Sequence, residues 1–536
     1  MLKEYFPSAK DSEFYPKECQ YNVELEHSVH PSDYTNPTPS EPYDVVIIGA
    51  GVSGLISSII SAWLGKKCAL IEKHAMGGDC LNIGCVPSKA LIGCARAMHS
   101  TKHLDEFGVI LPPGEVKIDF SKVMERMRRI RAKISHHDSV QRYSREFCKD
   151  VYVGNGRFIG GNAIEVTGDD GTKRVLEFKK AMIATGASAA IPPIPGLRDI
   201  EHLTNSNFFN LTELPPRMIV IGCGPIGLEL SQSMARFGTI VHCFEASPRL
   251  LPREDPDATS ILRDQLTHDG VNIHTGVKII KVECVQKGNL YHSEWNKYVI
   301  TIEENGSVVT YEGDAVLNAT GRSPNVADIG LETVGVEWDN RNGVHINDMF
   351  QTANSDIYAC GDCATPYKFT HSADFQARLA IRNMFLGDTN KLSNLLIPWC
   401  TYTEPEVAHV GKYETELDEA GIKYESFVKK LGDVDRCMCD GVTEGFVKIT
   451  IRADTDEILG ATICGPNAGD MISEITLAMQ YGIGISQIAG TIHPYPTTQE
   501  AIRGACLGYN KYYKNPDAAP LVTLRKIMDE KEKKDV

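Results

Sequence analysis

Long apolar runs are missing from this sequence. No stretch reaches the roughly 18 residues of a membrane-spanning helix, and the longest candidate, Leu55–Leu64, is broken by serines. A basic surplus is missing too. The 55 Lys and Arg against 70 Asp and Glu leave a net charge of −15, which excludes the basic face of a nucleic-acid binder. Met1-Leu2-Lys3-Glu4-Tyr5-Phe6 has early acids and no apolar core, so neither a secretory signal nor an Arg-rich transit peptide is expected there. The 16 cysteines lack the framing of a small secreted domain. Most read as reduced, buried thiols of a cytoplasmic protein, an organelle remaining compatible.

What is present centres on Gly77-Gly78-Asp79-Cys80-Leu81-Asn82-Ile83-Gly84-Cys85-Val86-Pro87-Ser88-Lys89. Five residues of helix rise roughly 7.5 Å, beyond the Cα separation of about 4.4–6.8 Å that a disulfide needs. A Cys80–Cys85 bond therefore requires an irregular turn, which Asn82 and Gly84 permit. Pro87 suits the first turn of a following helix. The positive end of that helix and Lys89 both favour thiolate. Taken alone, two buried thiols near a turn remain the simpler reading, and the rest of the chain decides.

The strand-like run Tyr43-Asp44-Val45-Val46-Ile47-Ile48 leads into Gly49-Ala50-Gly51-Val52-Ser53-Gly54 and a helical stretch. A second strand ends on Glu72. This is G-x-G-x-x-G in the context it needs: Gly49, Gly51 and Gly54 let a pyrophosphate approach a helix N-terminus, and the acid accepts from ribose hydroxyls. The unit repeats as Met218–Ile221, then Gly222, Gly224 and Gly227 in the second loop, then a strand ending on Glu245. Two units mean two dinucleotides. Glu245 favours NAD(H) over NADP(H), with Arg249 and Arg253 nearby in sequence as a counterweight.

The expected organisation is α/β, with two Rossmann-like dinucleotide-binding domains, for FAD and NAD(P), and a C-terminal α+β dimerisation domain. Residues 1–42, rich in Pro and polar groups, read as an extended or disordered arm. Residues 43–214 and 326–395 form the FAD domain, 215–325 the NAD(P) domain, 396–510 the dimerisation domain and 511–536 a charged tail. Phe120–Phe147 reads as one helix whose Arg126, Arg128, Arg129, Arg131 and Lys133 make a solvated basic face. Cys223 is read as filling space. Cys437-Met438-Cys439 is a soft-ligand pair that could hold Cu(I) or Hg(II), although no metal site is assigned.

Together these motifs resemble the pyridine nucleotide–disulfide oxidoreductases, the flavoprotein family of dihydrolipoyl dehydrogenase, glutathione reductase and mercuric reductase. The likeness covers roughly residues 43–510 and leans toward the mercuric-reductase-like branch through Ile397–Tyr402 and His493–Thr497. It implies a homodimer in which NAD(P)H reduces FAD and the flavin reduces a Cys80–Cys85 disulfide. Cys85 is then the flavin-facing thiolate and Cys80 the outer thiol. Lys89 pairs with Glu229 near the flavin. Gly156, Thr185, Gly186, Asp362, Phe369 and Thr370 join the flavin site, and Val277 and Gly321 the second nucleotide site.

The chain departs from the family at one place. Disulfide-reducing members supply His-Pro-Thr followed by Glu from the partner subunit. Here Tyr495-Pro496-Thr497-Thr498-Gln499-Glu500 has tyrosine instead, a poor base at neutral pH. His493 could substitute if the loop shifts. The acceptor is accordingly expected to be a metal ion such as Hg(II) or Cu(II), or a small molecule. The alternatives are dihydrolipoyl-dehydrogenase-like disulfide chemistry or a slow redox-sensing flavoprotein. Mercuric reductases relay metal through a C-terminal cysteine pair, and none is expected here, because Cys506 is the last cysteine.

Overall fold

The computed structural model describes residues 14–39, 41–114 and 116–513. Most of the expected tail, and the first thirteen residues of the expected arm, lie outside the described residues. The chain divides into two compact units: the residues up to Leu250 together with Asp269–Leu395, and Leu251–His268 together with the residues from Leu396 on.

The first unit holds two parallel sheets. Strand Tyr43–Ile48 is apolar and almost wholly buried, as a strand covered on both faces must be. It pairs in parallel with Cys68–Glu72 on one side and Lys173–Ile183 on the other. Asp150–Phe158 and Ile357–Ala359 extend the sheet outward. Asp150–Phe158, Ala163–Gly168 and Lys173–Ile183 also form an antiparallel meander. Its last strand runs unbroken into the parallel sheet.

The second parallel sheet has the order Ala315–Asn318, Arg217–Ile221, Ile240–Glu245, Val271–Thr275. A three-stranded antiparallel sheet, Lys278–Gln286, Lys297–Glu304 and Ser307–Gly313, accompanies it. In each half a glycine loop joins the first strand to a helix, Val52–Trp63 and Pro225–Phe237.

Three expectations are corrected here. The segment read as an extended arm forms the helix Gln20–Val29, whose Leu25 and Val29 are buried in the core around the first sheet. Asn36 brackets the backbone of Val153 with two hydrogen bonds, and Val29 accepts one from Met76. The basic face is solvated only in part: Arg126, Arg129 and Lys133 are exposed, while Arg128 and Arg131 are buried. Arg128 donates to the Leu211 carbonyl, and Arg131, 1% exposed, donates to the Asn82 carbonyl and to Asn22. The helix itself, Phe120–Ser135, does not run on to Phe147. A single 3-10 turn intervenes, and Ser139 accepts from the Arg142 N–H to start a new helix, Val140–Glu146.

The second unit is a five-stranded antiparallel sheet, ordered Trp399–Thr401, Glu406–Gly411, Ile458–Gly465, Phe446–Arg452, Tyr424–Lys430. Helices Ala468–Gln480, Ile485–Gly490 and Glu500–Tyr513 accompany it. Val447, Ile449, Ile463, Ile472 and Ile475 make its core. Among the described residues, no helix is long and apolar enough to cross a membrane.

Candidate active site: a cysteine turn beside a dinucleotide cavity

The first glycine loop opens onto a cavity of about 1000 Å³, at the upper end of ligand-site sizes. A Cβ on Gly49 would fall 2.3 Å from the Ala184 carbonyl oxygen, and one on Gly54 would fall 1.8 Å from that of Gly49. The chain itself demands glycine at both. Gly51 is different: its Cβ would meet nothing nearer than 3.9 Å. Glycine there keeps the cavity floor open, which is what a pyrophosphate needs. Glu72 closes the loop by accepting from the N–H groups of Ala50 at 2.6 Å and His74 at 2.7 Å. Burial raises its pKa, and those N–H groups oppose the rise. Gly156, Thr185, Gly186 and Asp362 line the same cavity. A part-polar cavity with a glycine floor fits FAD, and Glu72 and Asp362 are carboxylates on its wall.

Cys80 lies in the short helical turn Gly78–Asn82, and Cys85 begins the helix Cys85–Ser100. Gly84 makes the reversal possible, since a Cβ there would press to 2.7 Å from the Asp79 carbonyl oxygen. Asn82 fixes the turn by donating to the carbonyls of Met76 and Gly78. The two sulfurs are not bonded to each other. The hydrogen bond from Cys80 draws the Cys85 pKa down to about 6. Burial opposes the shift, while Thr370, whose hydroxyl stands 3.3 Å from the sulfur, and Lys89 support it. Cys80 moves the other way, well above the ordinary thiol range, because its proton is shared with Cys85 and because it is buried. Cys85 is thus a thiolate at neutral pH and Cys80 the protonated partner.

Lys89, one turn into the same helix, meets Glu229 at 2.8 Å. The carboxylate is 7% exposed and the lysine 37%, so the more buried anion anchors the cation. The two helices are joined again at their far ends. Asp269 accepts from Arg236 and Gln232, and His99 lies 3.2 Å from it. On the cavity side, Arg322 pairs with Asp79 and lies 3.6 Å from Asp362. This Asp79–Arg322 tie, next to Cys80, was not found by sequence reasoning. Arg322 ends the Ala319–Arg322 motif, but nothing in the spacing points it at residue 79. Thr370 begins the helix Thr370–Leu386, and Phe369 stacks on His371.

The second glycine loop repeats the first. Gly222 and Gly227 are held by close backbone approaches, to Ala319 and Gly222, while a Cβ on Gly224 would meet nothing within 4 Å. Glu245 accepts from the N–H groups of Cys223 and Ser247, each at 2.9 Å. Val277 is buried and donates its N–H to the Glu245 carbonyl. Gly321, at φ +133°, has open space where a Cβ would stand.

In the C-terminal unit, Tyr495 is 69% exposed and donates to Asp435 at 2.9 Å. That contact raises its pKa further, away from base duty. His493 is bound to Glu474 at 2.9 Å, and Glu500 starts the helix Glu500–Tyr513. The soft-ligand pair does not converge: Cys437 is buried and Cys439 exposed on the five-residue helix Asp435–Cys439, where residues two apart face different ways. Among the described residues no group of three or more His, Cys, Asp or Glu could hold a metal. Cys360 and Cys363 are buried, and burial raises both thiols.

Comparison with known proteins gives a match to the family model "Pyridine nucleotide-disulphide oxidoreductase" over residues 43–377 and to its dimerisation domain over residues 397–506. The chain is 31% identical over 501 residues to a mercuric reductase of Bacillus cereus, covering 94% of this chain and 76% of that protein. It is 32% identical over 473 residues to a dihydrolipoyl dehydrogenase of Bacillus subtilis, covering 87% and 97%. Among solved structures, LpdA of Mycobacterium tuberculosis matches with a TM-score of 0.76 at 25% identity, covering 87% of this chain and 99% of that one.

Proposed function

This chain belongs to the pyridine nucleotide–disulphide oxidoreductases, FAD-dependent enzymes that use a pyridine nucleotide, and we propose that it carries electrons from NADH through Cys80 and Cys85 to a metal ion such as Hg(II) or Cu(II). The observation that carries this reading is the cysteine turn itself: Cys80 lines the cavity that the first glycine loop opens onto, and Cys85, five residues on, has the Thr370 hydroxyl 3.3 Å from its sulfur.

FAD, when bound, relays the electron pair between nicotinamide and sulfur. The chain's own groups do the rest. The first glycine loop and Glu72 hold the nucleotide, and Gly156, Thr185, Gly186 and Asp362 line its path. Lys89, fixed by Glu229, supplies a cation where negative charge accumulates. When the Cys80–Cys85 bond opens, Cys80 takes the proton and Cys85 keeps the charge, as their opposite pKa shifts dictate. Glu245 accepts ribose hydroxyls at the second loop and repels a 2′-phosphate, which supports NADH over NADPH.

The acceptor reading rests on Tyr495. A disulfide acceptor needs a proton at each step of exchange, and a tyrosine held by Asp435 is a poor donor and acceptor at neutral pH. A soft metal ion binds thiolate directly and takes electrons without that proton. Relatives named mercuric reductase support the same reading. One observation favours dihydrolipoyl-dehydrogenase-like chemistry instead: His493, two residues before Tyr495, is paired with the Glu474 carboxylate. We place the enzyme in the cytoplasm as a homodimer. Support for the dimer comes from the dimerisation domain and from apolar side chains exposed on it, Leu477, Tyr481 and Ile492 among them.

The test is steady-state turnover with NADH and NADPH against Hg(II), Cu(II), quinones, lipoamide and glutathione disulfide. Turnover with the metal ions, lost in Cys80→Ser, is expected. Faster turnover with lipoamide or glutathione disulfide would sink the metal-acceptor reading.

A further inference from the structure

The second glycine loop holds two cysteines that the electron path does not use. Cys223 is the middle residue of Gly222-Cys223-Gly224, and Cys243 lies on the strand Ile240–Glu245, two residues before the acid that the loop binds. Parallel pairing of Val220 with Cys243 sets that strand beside the root of the loop. The loop turns back at Gly222, φ +103°, and the two sulfurs come to 2.9 Å. Carbon atoms in van der Waals contact rest at roughly 3.5–4.0 Å, and a disulfide closes to about 2.05 Å. The pair stands between the two.

The first half of the chain shows that the fold does not ask for sulfur here. Its equivalent positions are Ala50, whose N–H is held by Glu72 just as that of Cys223 is held by Glu245, and Leu70, two residues before Glu72. An alanine and a leucine fill the same places. Filling space, the reading expected for Cys223, therefore does not account for a cysteine at both.

We propose that Cys223 and Cys243 are a second oxidisable pair, which a peroxide closes into a disulfide across the nucleotide loop and which thereby weakens NADH docking. The balance is simple. The Cys223 sulfur attacks one oxygen of hydrogen peroxide, the O–O bond breaks, and one water leaves a sulfenic acid. The Cys243 sulfur displaces its hydroxyl as a second water, and the S–S bond forms. Two thiols and one peroxide become one disulfide and two waters. The bond ties the loop to the strand that carries Glu245 and removes the loop's freedom to adjust to a nucleotide. Both cysteines are fully buried, so peroxide reaches them only when the loop opens, and a docked nucleotide keeps it shut. This rests on the reading that the second loop docks NADH.

The experiment treats the holoenzyme with hydrogen peroxide, with and without saturating NAD⁺, alkylates the remaining thiols, and maps tryptic peptides without reduction. Arg236 lies between the two cysteines, so the bond appears as peptide Met218–Arg236 joined to Phe237–Arg249. That species is expected, forming at least ~5-fold more slowly with NAD⁺ present. KM for NADH should rise at least ~3-fold, recover with dithiothreitol, and stay put in Cys243→Ala and Cys243→Val. Absence of the joined peptide overturns the proposal. So does a joined peptide with unchanged KM, or an equal KM rise in both variants. If untreated enzyme fails to bind NADH at all, the functional reading fails, while the joined peptide is still decided by mass.

Discussion

Replacing Cys80 with alanine is expected to raise the pKa of Cys85 by about 1–2 units. The thiol of Cys80 is the largest of the groups that hold Cys85 near 6, ahead of Thr370 and Lys89. A hydrogen bond to a charged acceptor contributes about 1.5–3 kcal/mol, and one pKa unit corresponds to about 1.36 kcal/mol. At pH 7 the thiolate fraction should fall from about nine-tenths to between a half and a tenth. The rate of alkylation falls in proportion. Thr370→Val should produce a smaller rise and Lys89→Met the smallest, following the order of the contacts. The assay is iodoacetamide alkylation of the flavin-free protein from about pH 4.5 to 9.5, around the thiol range. Labelling is read at Cys85 by fragment masses, because both cysteines share the tryptic peptide His74–Lys89. A wild-type midpoint near the ordinary value of about 8.5, or Lys89→Met outranking Cys80→Ala, would refute the reasoning.

Asp269 is buried between Arg236 and His99, which hold its pKa near 2 against the upward pull of burial. Asp269→Asn should cost about 3–5 kcal/mol at neutral pH, because it leaves a buried guanidinium without its counter-charge. A folded pKa below the unfolded one gives stability that is full above about pH 4 and lost as pH falls toward 2. The gap between wild type and variant in denaturant unfolding should therefore narrow by about 2 kcal/mol over that range, and a constant gap would contradict it. Leu25→Ala should destabilise the protein by about 2–5 kcal/mol, since Leu25 is fully buried; a cost below about 0.5 kcal/mol would mean that the N-terminal helix does not belong to the fold. Tyr495→His should speed turnover with a disulfide acceptor by about 100-fold, the low end of general acid–base catalysis, with Asp435 available to orient the ring. No gain in steady-state rate would place the obstacle elsewhere.

Both glycine loops, their acids and the cysteine turn were legible in the sequence because each is local. The glycines, the strand before them and the acid after them lie within about 30 residues, the span of one βαβ unit. What escaped was set by distant partners. Arg128 and Arg131 carry the composition of a solvated face, and only the carbonyls of Leu211 and Asn82 and the side chain of Asn22 make their burial tolerable. The N-terminal helix did leave a signal, with Tyr21, Leu25 and Val29 four residues apart on one face. The prolines after it hid that signal. The approach of Cys223 to Cys243 and the tie from Arg322 to Asp79 depend on strand pairing and loop curvature, which no spacing encodes.

The central claim is that the electron pair of NADH comes to rest on Cys80 and Cys85. Anaerobic holoenzyme, first oxidised and stripped of excess oxidant, would be given one equivalent of NADH, quenched with an alkylating reagent and mapped cysteine by cysteine. The account predicts new label at Cys80 and Cys85, dependent on NADH and absent without it. NADH consumed with the label appearing at other cysteines, or with no new label at all, would contradict it.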